Sequence, residues 1–431
     1  MLPTIYKLPS YYIFFIMRRI IKLINDVCTK KAMAQLLFIT FLCVIVHLLI
    51  LQYIYDISNN FSSIISVARM KDNLDQHLKD FKYILAWNKH NLINAQTIFS
   101  FSNSNCSVKN CVFTEDRNLL YDQMRFEAIV FDELSLNSND RPLRRLSTQV
   151  YIFSSKISSY IAPACELYND DFFNLTFTYR LDSDIVWNHF AVRNLSRSVV
   201  APSIQVEWKT SVETVPDVIK SILGQKQKLA AWIVNDCESE SPRNGYLTEL
   251  QEHLFHYALK IDIYGKCSNI KCPDNDCKTM IRDNYQFYIA FENSFAEDYV
   301  TEKVLYGYNN YAVPIVYGGA NYSRFLPPGS YINAREIHPY NLAYTMHKAL
   351  KEPALYETYF RWMNHYTIQT SLGSFHHLCN LCAIMHSSKV KNMGSKKNFR
   401  VWWNSLDGMK SCLPEAYWKE ALRAKYFFSL Y

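Results

Sequence analysis

Short apolar runs alternate with stretches of helical periodicity along the second half of the chain. The runs predict buried strands at Leu229–Val234, Ile261–Tyr264, Phe287–Phe291 and Val313–Tyr317. Apolar residues at helical spacing predict helices over 245–259 and 301–308. Alternation of this kind is typical of a parallel α/β sheet, whose ligands bind at the carboxyl ends of the strands.

A first α/β unit is predicted before this one, from apolar runs within Cys111–Asp132 and at Gln149–Phe153. The polar, weakly periodic stretch 56–110 is interpreted as a stem. We therefore expect two Rossmann-like units facing a cleft, over 111–225 and 226–385, and a C-terminal extension over 386–431.

One stretch predicts a membrane span. Ala32–Tyr55 is 24 residues long and lacks Asp, Glu, Lys and Arg, so as a helix it would cross a hydrocarbon core of about 30 Å. A soluble core helix is rarely this long without a charge, and no small-residue cleavage site follows for a signal peptide. Lys30 and Lys31 precede the run, which predicts a cytosolic tail over 1–31 and a single-pass type II topology.

The distribution of charge and the low glycine content argue against nucleic acid as a ligand and against a glycine-rich nucleotide-binding loop. The net charge is +7, but the tail over 1–31, with six basic residues and one acidic residue, carries +5 of it, so nucleic-acid binding is not expected. Glycine occurs only 10 times, and neither GxGxxG nor a P-loop is present. A bound nucleotide would therefore be held largely by side chains.

Ten of the 12 cysteines lie beyond the predicted span, where an even count in an oxidising compartment predicts disulfides. Zinc is disfavoured because only one CxxC-like pair occurs, and the disulfide pairing cannot be deduced. Glycosylation sequons on the same side weakly support the topology, at Asn60, Asn105, Asn174, Asn194 and Asn321.

Two cations are candidates for binding a diphosphate. Lys303 lies in the first turn of the helix predicted over 301–308, a position that the helix dipole disfavours for a cation unless a bound anion is present. Arg243 lies just before another helix, and a guanidinium can contact a diphosphate through two hydrogen bonds. The alternative for Lys303 is a helix start that is simply solvated, and the alternative for Arg243 is an ordinary surface arginine.

Asp182 and Asp184 form a DxD motif, which in sugar-nucleotide enzymes can bridge a divalent metal and diphosphate oxygens. Such short strings are common by chance, so these two carboxylates are weak metal-site candidates.

Longer motifs resemble those of the α1,3-fucosyltransferase family, glycosyltransferase family 10, and specifically an invertebrate-like member. The runs FYIAFENSFAEDYVTEK (287–303) and AVPIVYGGANYSRFLPPGSYINA (312–334) are similar to its donor-binding hallmark. The run NLTFTYRLDSD (174–184) resembles its second signature, and Trp232–Asn235, Ser241–Arg243 and Phe360–Trp362 also match. The resemblance extends from about residue 125 to residue 385.

The resemblance implies a GT-B fold with an acceptor-side domain over 111–225 and a GDP-fucose-binding domain over 226–385. Lys303 and Arg243 would contact the diphosphate, Glu302 the ribose, and Tyr299 and Asn293 would line the nucleotide or fucose pocket. The implied reaction is inverting transfer of L-fucose from GDP-fucose, in α1,3 linkage, onto a GlcNAc-containing glycan of glycoproteins or glycolipids at the Golgi membrane. No metal would be required, although Mn2+ or another divalent cation could stimulate the enzyme.

The acceptor half departs from the family pattern. Where the family has Glu-Ser-Pro, this chain has Ile157, Ser158 and Ser159, and isoleucine cannot accept a proton. Glu166 is a weak substitute candidate for the base. The alternatives are a weak or inactive relative that binds GDP-fucose or glycan, and a metal-dependent transferase using Asp182 and Asp184. The sequence does not distinguish core-fucosylating from Lewis-type acceptors.

Overall fold

The computed structural model describes residues 15–19, 22, 38–53, 81–88, 106–136, 139–210, 213–370, 373–408 and 412. The chain divides into two compact units, residues 1–80 and 81–431. In the first unit, residues 38–53 form a helix whose large apolar side chains are exposed. Within the described parts of the chain, none of the helices combines the length and apolar character needed to cross a membrane. The remainder of the predicted span (32–37 and 54–55) and the sequons at Asn60 and Asn105 lie outside the described residues.

The second unit contains three sheets, and its elements are numbered here in chain order. The first sheet is parallel, with the strand order β2-β1-β3-β4-β5-β6. Its strands are β1 (Lys82–Ala86), β2 (Cys111–Thr114), β3 (Ala128–Phe131), β4 (Val150–Ser155), β5 (Leu175–Thr178) and β6 (Ile185–Val186). The interpretation of 56–110 as a stem is therefore wrong at 82–86, because β1 is an interior strand bonded to both β2 and β3.

The second sheet is also parallel, in the order β10-β9-β11-β12-β13. Its strands are β9 (Lys228–Ile233), β10 (Ile261–Tyr264), β11 (Tyr285–Phe291), β12 (Val313–Tyr317) and β13 (Ile332–Asn333). Its helices are α1 (Asp217–Gly224), α2 (Arg243–Phe255), α3 (Cys277–Asn284), α4 (Lys303–Tyr308), α5 (Pro339–Lys351) and α6 (Pro353–Thr358). The expectation of parallel α/β sheets is confirmed.

Every residue of β11 is buried, because helices cover both faces of the sheet. Phe287, Ile289 and Phe291 pack with the core of α2 and α5, while Tyr288 and Ala290 pack with that of α3 and α4. This alternation fixes the register of the strand, and so fixes which side chains follow at its carboxyl end.

A third, antiparallel sheet has the order β14-β7-β8, made of β7 (Phe190–Asn194), β8 (Val199–Ala201) and β14 (Tyr366–Thr370). Beyond it, α7 (Gly373–Met385) and α8 (Phe399–Gly408) return to the first sheet. Leu381 of α7 lies in the core of that sheet, and Phe399 and Trp403 of α8 contact Phe153 of β4. The domain boundary predicted at residue 385 is therefore wrong, since α7 and α8 both pack on the first sheet.

The ten described cysteines of this unit all form disulfides, which confirms disulfides rather than zinc ligands. Three pairs tie the C-terminal segment to the first part of the unit, and two lie within the second. The pairs are Cys106–Cys379, Cys111–Cys382, Cys165–Cys412, Cys237–Cys267 and Cys272–Cys277.

Candidate active site

The loops that follow strands of the first two sheets meet at one junction. Ser158, after β4, accepts a hydrogen bond of 2.5 Å from the hydroxyl of Ser294, after β11. The backbone N–H of Leu181, after β5, donates to the buried carboxylate of Asp298 at 3.1 Å. Because both sheets present the carboxyl ends of their strands here, this junction is where a parallel α/β architecture places a ligand.

A buried carboxylate organises the second half of the junction. Glu292 directly follows β11, and its side chain is 1% exposed. Its carboxylate accepts the backbone N–H of Thr301 at 2.8 Å, the hydroxyl of Thr301 at 2.9 Å and the ammonium of Lys303 at 2.8 Å. Lys303 remains 27% exposed. Glu292 therefore holds a partly accessible cation at the start of α4.

The glycines after β12 allow this arrangement. A Cβ on Gly319 would lie 2.0 Å from the carbonyl oxygen of Phe295, and one on Gly318 would lie 3.2 Å from Cγ of Glu292. Any side chain at residue 319 would push the two loops apart. The Gly-Gly pair thus lets the loop after β12 contact the loop that carries Glu292.

Arg243 lies near this cluster but points inward. It is 1% exposed, donates to the carbonyl oxygens of Asp236 and Phe291, and lies over the ring of Trp232. Burial lowers the pKa of its guanidinium, while the charges of Asp236 and Glu292 act in the opposite direction. Contact with a diphosphate would require a rearrangement of the loop between β9 and α2. The Cys237–Cys267 disulfide ties this loop to the segment after β10.

Glu302 is paired with His189, the residue directly before β7 of the third sheet. Its carboxylate lies 2.9 Å from Nδ1 of His189, and this hydrogen bond is the main cause that lowers the pKa of Glu302 to about 2. The Glu302 side chain is 59% exposed, so an ionised acceptor faces solvent. Such a group can accept hydrogen bonds from hydroxyls of a bound sugar.

Several buried polar atoms of the junction lack a partner within the described part of the chain. They are Oγ of Ser154, Nε2 of His189, Nε of Arg243 and Oδ1 of Asn293. Tyr299 is buried beside them, with its ring edge-to-face against Tyr179 at 4.9 Å, and burial raises the pKa of its phenol. Buried polar groups normally have partners, so this concentration fits a site completed by a polar ligand.

Ile157 occupies the junction without offering a proton acceptor. Ile157 directly precedes Ser158 and is 38% exposed. Its backbone N–H donates to the hydroxyl of Ser155 at 3.0 Å. Glu166 is exposed, next to the disulfide-bonded Cys165. Among the described residues, no hydrogen bond or ion pair joins Glu166 to the junction.

Both carboxylates of the DxD motif are engaged by protein groups. Asp182 accepts two hydrogen bonds of 2.9 Å from the guanidinium of Arg180 and one from the indole of Trp402. Asp184 accepts from the backbone and hydroxyl of Thr176 at 2.8 Å, and lies 3.0 Å from the ammonium of Lys396. These contacts favour a structural role over a metal clamp.

The described sequons differ in their surroundings. The amide of Asn174 is used at the start of β5, where it accepts from the N–H of Tyr151 at 2.8 Å and donates to the carbonyl of Met393. Asn194 ends β7 in the hairpin that leads to β8, and Asn321 is exposed. Of these three, only Asn321 is exposed, so it fits a surface site best.

Sequence reasoning assigned no role to three important residues of the junction, Glu292, His189 and Ser158. Glu292 had a usable signal, because it is the first acidic residue after the apolar run of β11. His189 had none, since it reaches the junction only through a contact across 113 residues of chain. Ser158 was visible as the serine of the family's Glu-Ser-Pro motif, but its contact with Ser294, 136 residues away, was not.

Two family models match the chain. One, described as "Glycosyltransferase family 10 (fucosyltransferase) C-term", matches residues 223–402, and the other, "Fucosyltransferase, N-terminal", matches residues 79–190.

Alpha-(1,3)-fucosyltransferase C of Drosophila melanogaster is 35% identical over 69% of this chain and 70% of its own length. Alpha-(1,3)-fucosyltransferase fut-1 of Caenorhabditis elegans is 30% identical over 68% of this chain, and the match spans 61% of that relative. A crystal structure of alpha1,3-fucosyltransferase with GDP-fucose aligns with a TM-score of 0.42 and 12% identity, over 72% of this chain and 92% of that one.

Proposed function

The chain belongs to glycosyltransferase family 10, the fucosyltransferases, and we propose that it transfers L-fucose from GDP-fucose, in α1,3 linkage, onto a GlcNAc-containing glycan of glycoproteins or glycolipids. The observation that carries this proposal is the Glu292–Lys303 pair at the carboxyl ends of the second sheet. A partly exposed ammonium, fixed by a buried carboxylate, is suited to a diphosphate. The invertebrate relatives named as α1,3-fucosyltransferases support the linkage.

The donor would be held by the residues gathered around this pair. Lys303 would contact the diphosphate, and Glu302 would accept hydrogen bonds from the ribose hydroxyls. Asn293, whose Oδ1 lacks a partner within the described chain, and Tyr299 would line the nucleotide or fucose pocket. Arg243 would join the diphosphate only after the Asp236 loop releases it, because its guanidinium is now bound to carbonyl oxygens.

The proposed reaction is a single inverting displacement at the anomeric carbon of fucose. The acceptor hydroxyl oxygen forms the new bond while the bond to the β-phosphate oxygen breaks, and GDP leaves with that electron pair. Lys303 would stabilise the charge that grows on the β-phosphate. The hydroxyl proton leaves for a base, and Ile157 cannot be that base. Loss of a general base lowers a rate by about 10²–10⁴-fold rather than abolishing it.

Transfer would not require a metal ion. Asp182 and Asp184 are already occupied by Arg180 and Lys396, and cationic side chains would stabilise the leaving GDP. Activity should therefore persist in EDTA, with stimulation by added Mn2+ as the largest metal effect. Complete loss in EDTA would favour a metal-dependent transferase instead.

The enzyme would act in the Golgi lumen, anchored as a single-pass type II protein through 32–55. Support comes from the apolar run that follows Lys30 and Lys31, and from the disulfides of the second unit, which require an oxidising compartment.

An acceptor array tests the function directly. Purified full-length chain in detergent, given GDP-fucose and an array of core-type and Lewis-type glycans, should form a product in which fucose is α1,3-linked to GlcNAc. GDP binding by calorimetry without product on any acceptor would contradict catalysis and favour an inactive binding protein.

A further inference from the structure

Three metal-ligating side chains lie together on the surface of the second sheet's helical layer. Glu249 and His253 are four residues apart on α2, so they share one face of the helix. His338 is the N-cap residue of α5. Oε1 of Glu249 is 3.7 Å from Nε2 of His253 and 3.4 Å from Nε2 of His338. One ligand atom from each of the three residues lies within 4.8 Å of the other two.

Neighbouring contacts hold the three groups in place. Helices α2 and α5 pack against each other, and the hydroxyl of Tyr246 donates to the carbonyl of Ile337 at 2.7 Å, one residue before His338. The ring of Tyr340 packs edge-to-face on His253 at 5.4 Å. The arrangement therefore belongs to two packed elements rather than to one mobile loop.

The spacing suits a tetrahedral ion. Zinc–ligand bonds of about 2.0–2.1 Å put neighbouring ligands about 3.3 Å apart. The Glu249–His338 distance is close to this value, and the Glu249–His253 distance exceeds it slightly. We propose that Glu249, His253 and His338 bind Zn2+, with water as the fourth ligand, and thereby link α2 to the start of α5.

Two imidazoles and one carboxylate favour zinc over the harder ions. Mg2+, Ca2+ and Mn2+ prefer oxygen ligands, whereas imidazole suits Zn2+. Glu249 and His338 are substantially exposed, at 45% and 64%, so the ion has access from solvent. This site lies on the helix that begins at Arg243, but none of its ligands contacts the donor-binding residues proposed above.

The competing explanation is an ordinary surface ion pair, in which Glu249 accepts N–H groups from the two imidazoles. His338 also accepts the N–H of Tyr340 at Nδ1, at 3.3 Å, which places its own proton on Nε2. Zinc bound at Nε2 of His338 would move that proton to Nδ1. Nδ1 could then no longer accept the N–H of Tyr340, and this hydrogen bond at the helix N-cap would be lost. Exposed ion pairs contribute little to stability, so only metal binding separates the two explanations clearly.

The test uses Co2+ as an optical probe of the purified full-length chain, followed by competition with Zn2+. The wild-type chain should develop the visible absorption bands of tetrahedral Co2+, and Zn2+ should displace them and raise the melting temperature. Glu249→Gln, His253→Ala and His338→Asn should each weaken Zn2+ binding by more than about tenfold. His338→Asn keeps a good N-cap while removing the imidazole, so its loss of binding would not reflect loss of the helix start.

His256→Ala is the matched control, because His256 is exposed at the end of the same helix and outside the cluster. It should bind Co2+ and Zn2+ as the wild type does. Absence of tetrahedral Co2+ bands in the wild type, or Zn2+ affinities unchanged in the three ligand variants, would overturn the proposal. Circular dichroism of each variant verifies that it is folded.

Discussion

At the scale of single residues, the junction depends on a carboxylate that would not itself contact a ligand. Glu292 is buried and neutralised by Lys303, and its second oxygen is bound by Thr301. A buried ion pair is favourable only when hydrogen bonds satisfy the remaining lone pairs, and Thr301 supplies them. The result is a fixed cation instead of a flexible lysine.

Ile157 is the residue whose replacement should most improve the reaction. Ile157→Glu puts a proton acceptor at the junction, one residue from Ser158, and should raise kcat for fucosyl transfer by about 10²-fold. Ile157→Gln has the same length but no basic carboxylate, and should leave kcat near the wild-type value. Equal kcat for the two variants would show that residue 157 does not face the acceptor hydroxyl.

A buried acid in the first sheet gives the chain a pH-dependent stability. Burial raises the pKa of Asp132 to about 6 from its usual 3.8, and the neighbouring Glu133 adds to the effect. A raised carboxyl pKa means that the folded chain holds the proton more tightly, so this group's contribution falls as pH rises from about 4 to 6.

Asp132→Asn removes this titration and keeps an acceptor for the N–H of Leu134. The free energy of unfolding of Asp132→Asn should therefore exceed that of the wild type by about 3 kcal/mol at pH 7, which raises its melting temperature, and the difference should shrink at pH 4.5. A difference that is constant with pH would contradict the assignment to Asp132.

At the scale of elements, the sequence predicted strands best where glycine or polar residues bounded an apolar run. Ile261–Tyr264 and Val313–Tyr317 are observed with the predicted bounds. The antiparallel sheet was missed because β7 and β14 pair across more than 170 residues of chain, and neither strand has a distinctive local pattern. The same limit applies to the site: Lys303 was visible locally, whereas its contact to Glu292 and the pairing of Glu302 with His189 are tertiary.

The close approach of two loops at Gly319 can be tested by adding one methyl group. Gly319→Ala places a Cβ against the carbonyl of Phe295, so the loop carrying Glu292 must shift. Donor affinity and kcat should both fall, by about tenfold or more, because small displacements of catalytic groups are costly. The control is Gly245→Ala, on α2, where the new Cβ would meet no atom within 4 Å apart from the backbone of its own helix and its chain neighbours. It should keep full activity, and parallel losses in both variants would contradict the close-approach account.

At the scale of the whole molecule, the first described strand and the last described helices of the second unit belong to the same sheet and its covering layer. Strand β1 lies inside the first sheet, and α7 and α8 return from the far end of the chain to cover that sheet. Three disulfides, with sequence separations of 247 to 273 residues, fix this return. The sequence could not predict it, because neither the disulfide pairing nor the partner of an amphipathic helix can be derived from local pattern.

Truncation should reveal this dependence. A secreted chain that begins at residue 75 retains β1 and all ten paired cysteines, and should fold and bind GDP. A chain that also ends at Thr370 loses α7, α8 and the partners of Cys106, Cys111 and Cys165, and should be retained or aggregate because the first sheet is uncovered. Equal secretion of the two forms would show that the returning helices are dispensable.

The most direct test of the central claim is the calorimetric affinity of the full-length chain for GDP, with and without the ammonium of Lys303. Wild-type chain should bind GDP, and Lys303→Ala should bind at least about tenfold more weakly, since a charge-assisted hydrogen bond contributes about 1.5–3 kcal/mol. Lys278→Ala, which removes an exposed lysine on α3, should bind as the wild type does. Unchanged GDP affinity in a folded Lys303→Ala variant would contradict the assignment of this site to a nucleoside diphosphate sugar.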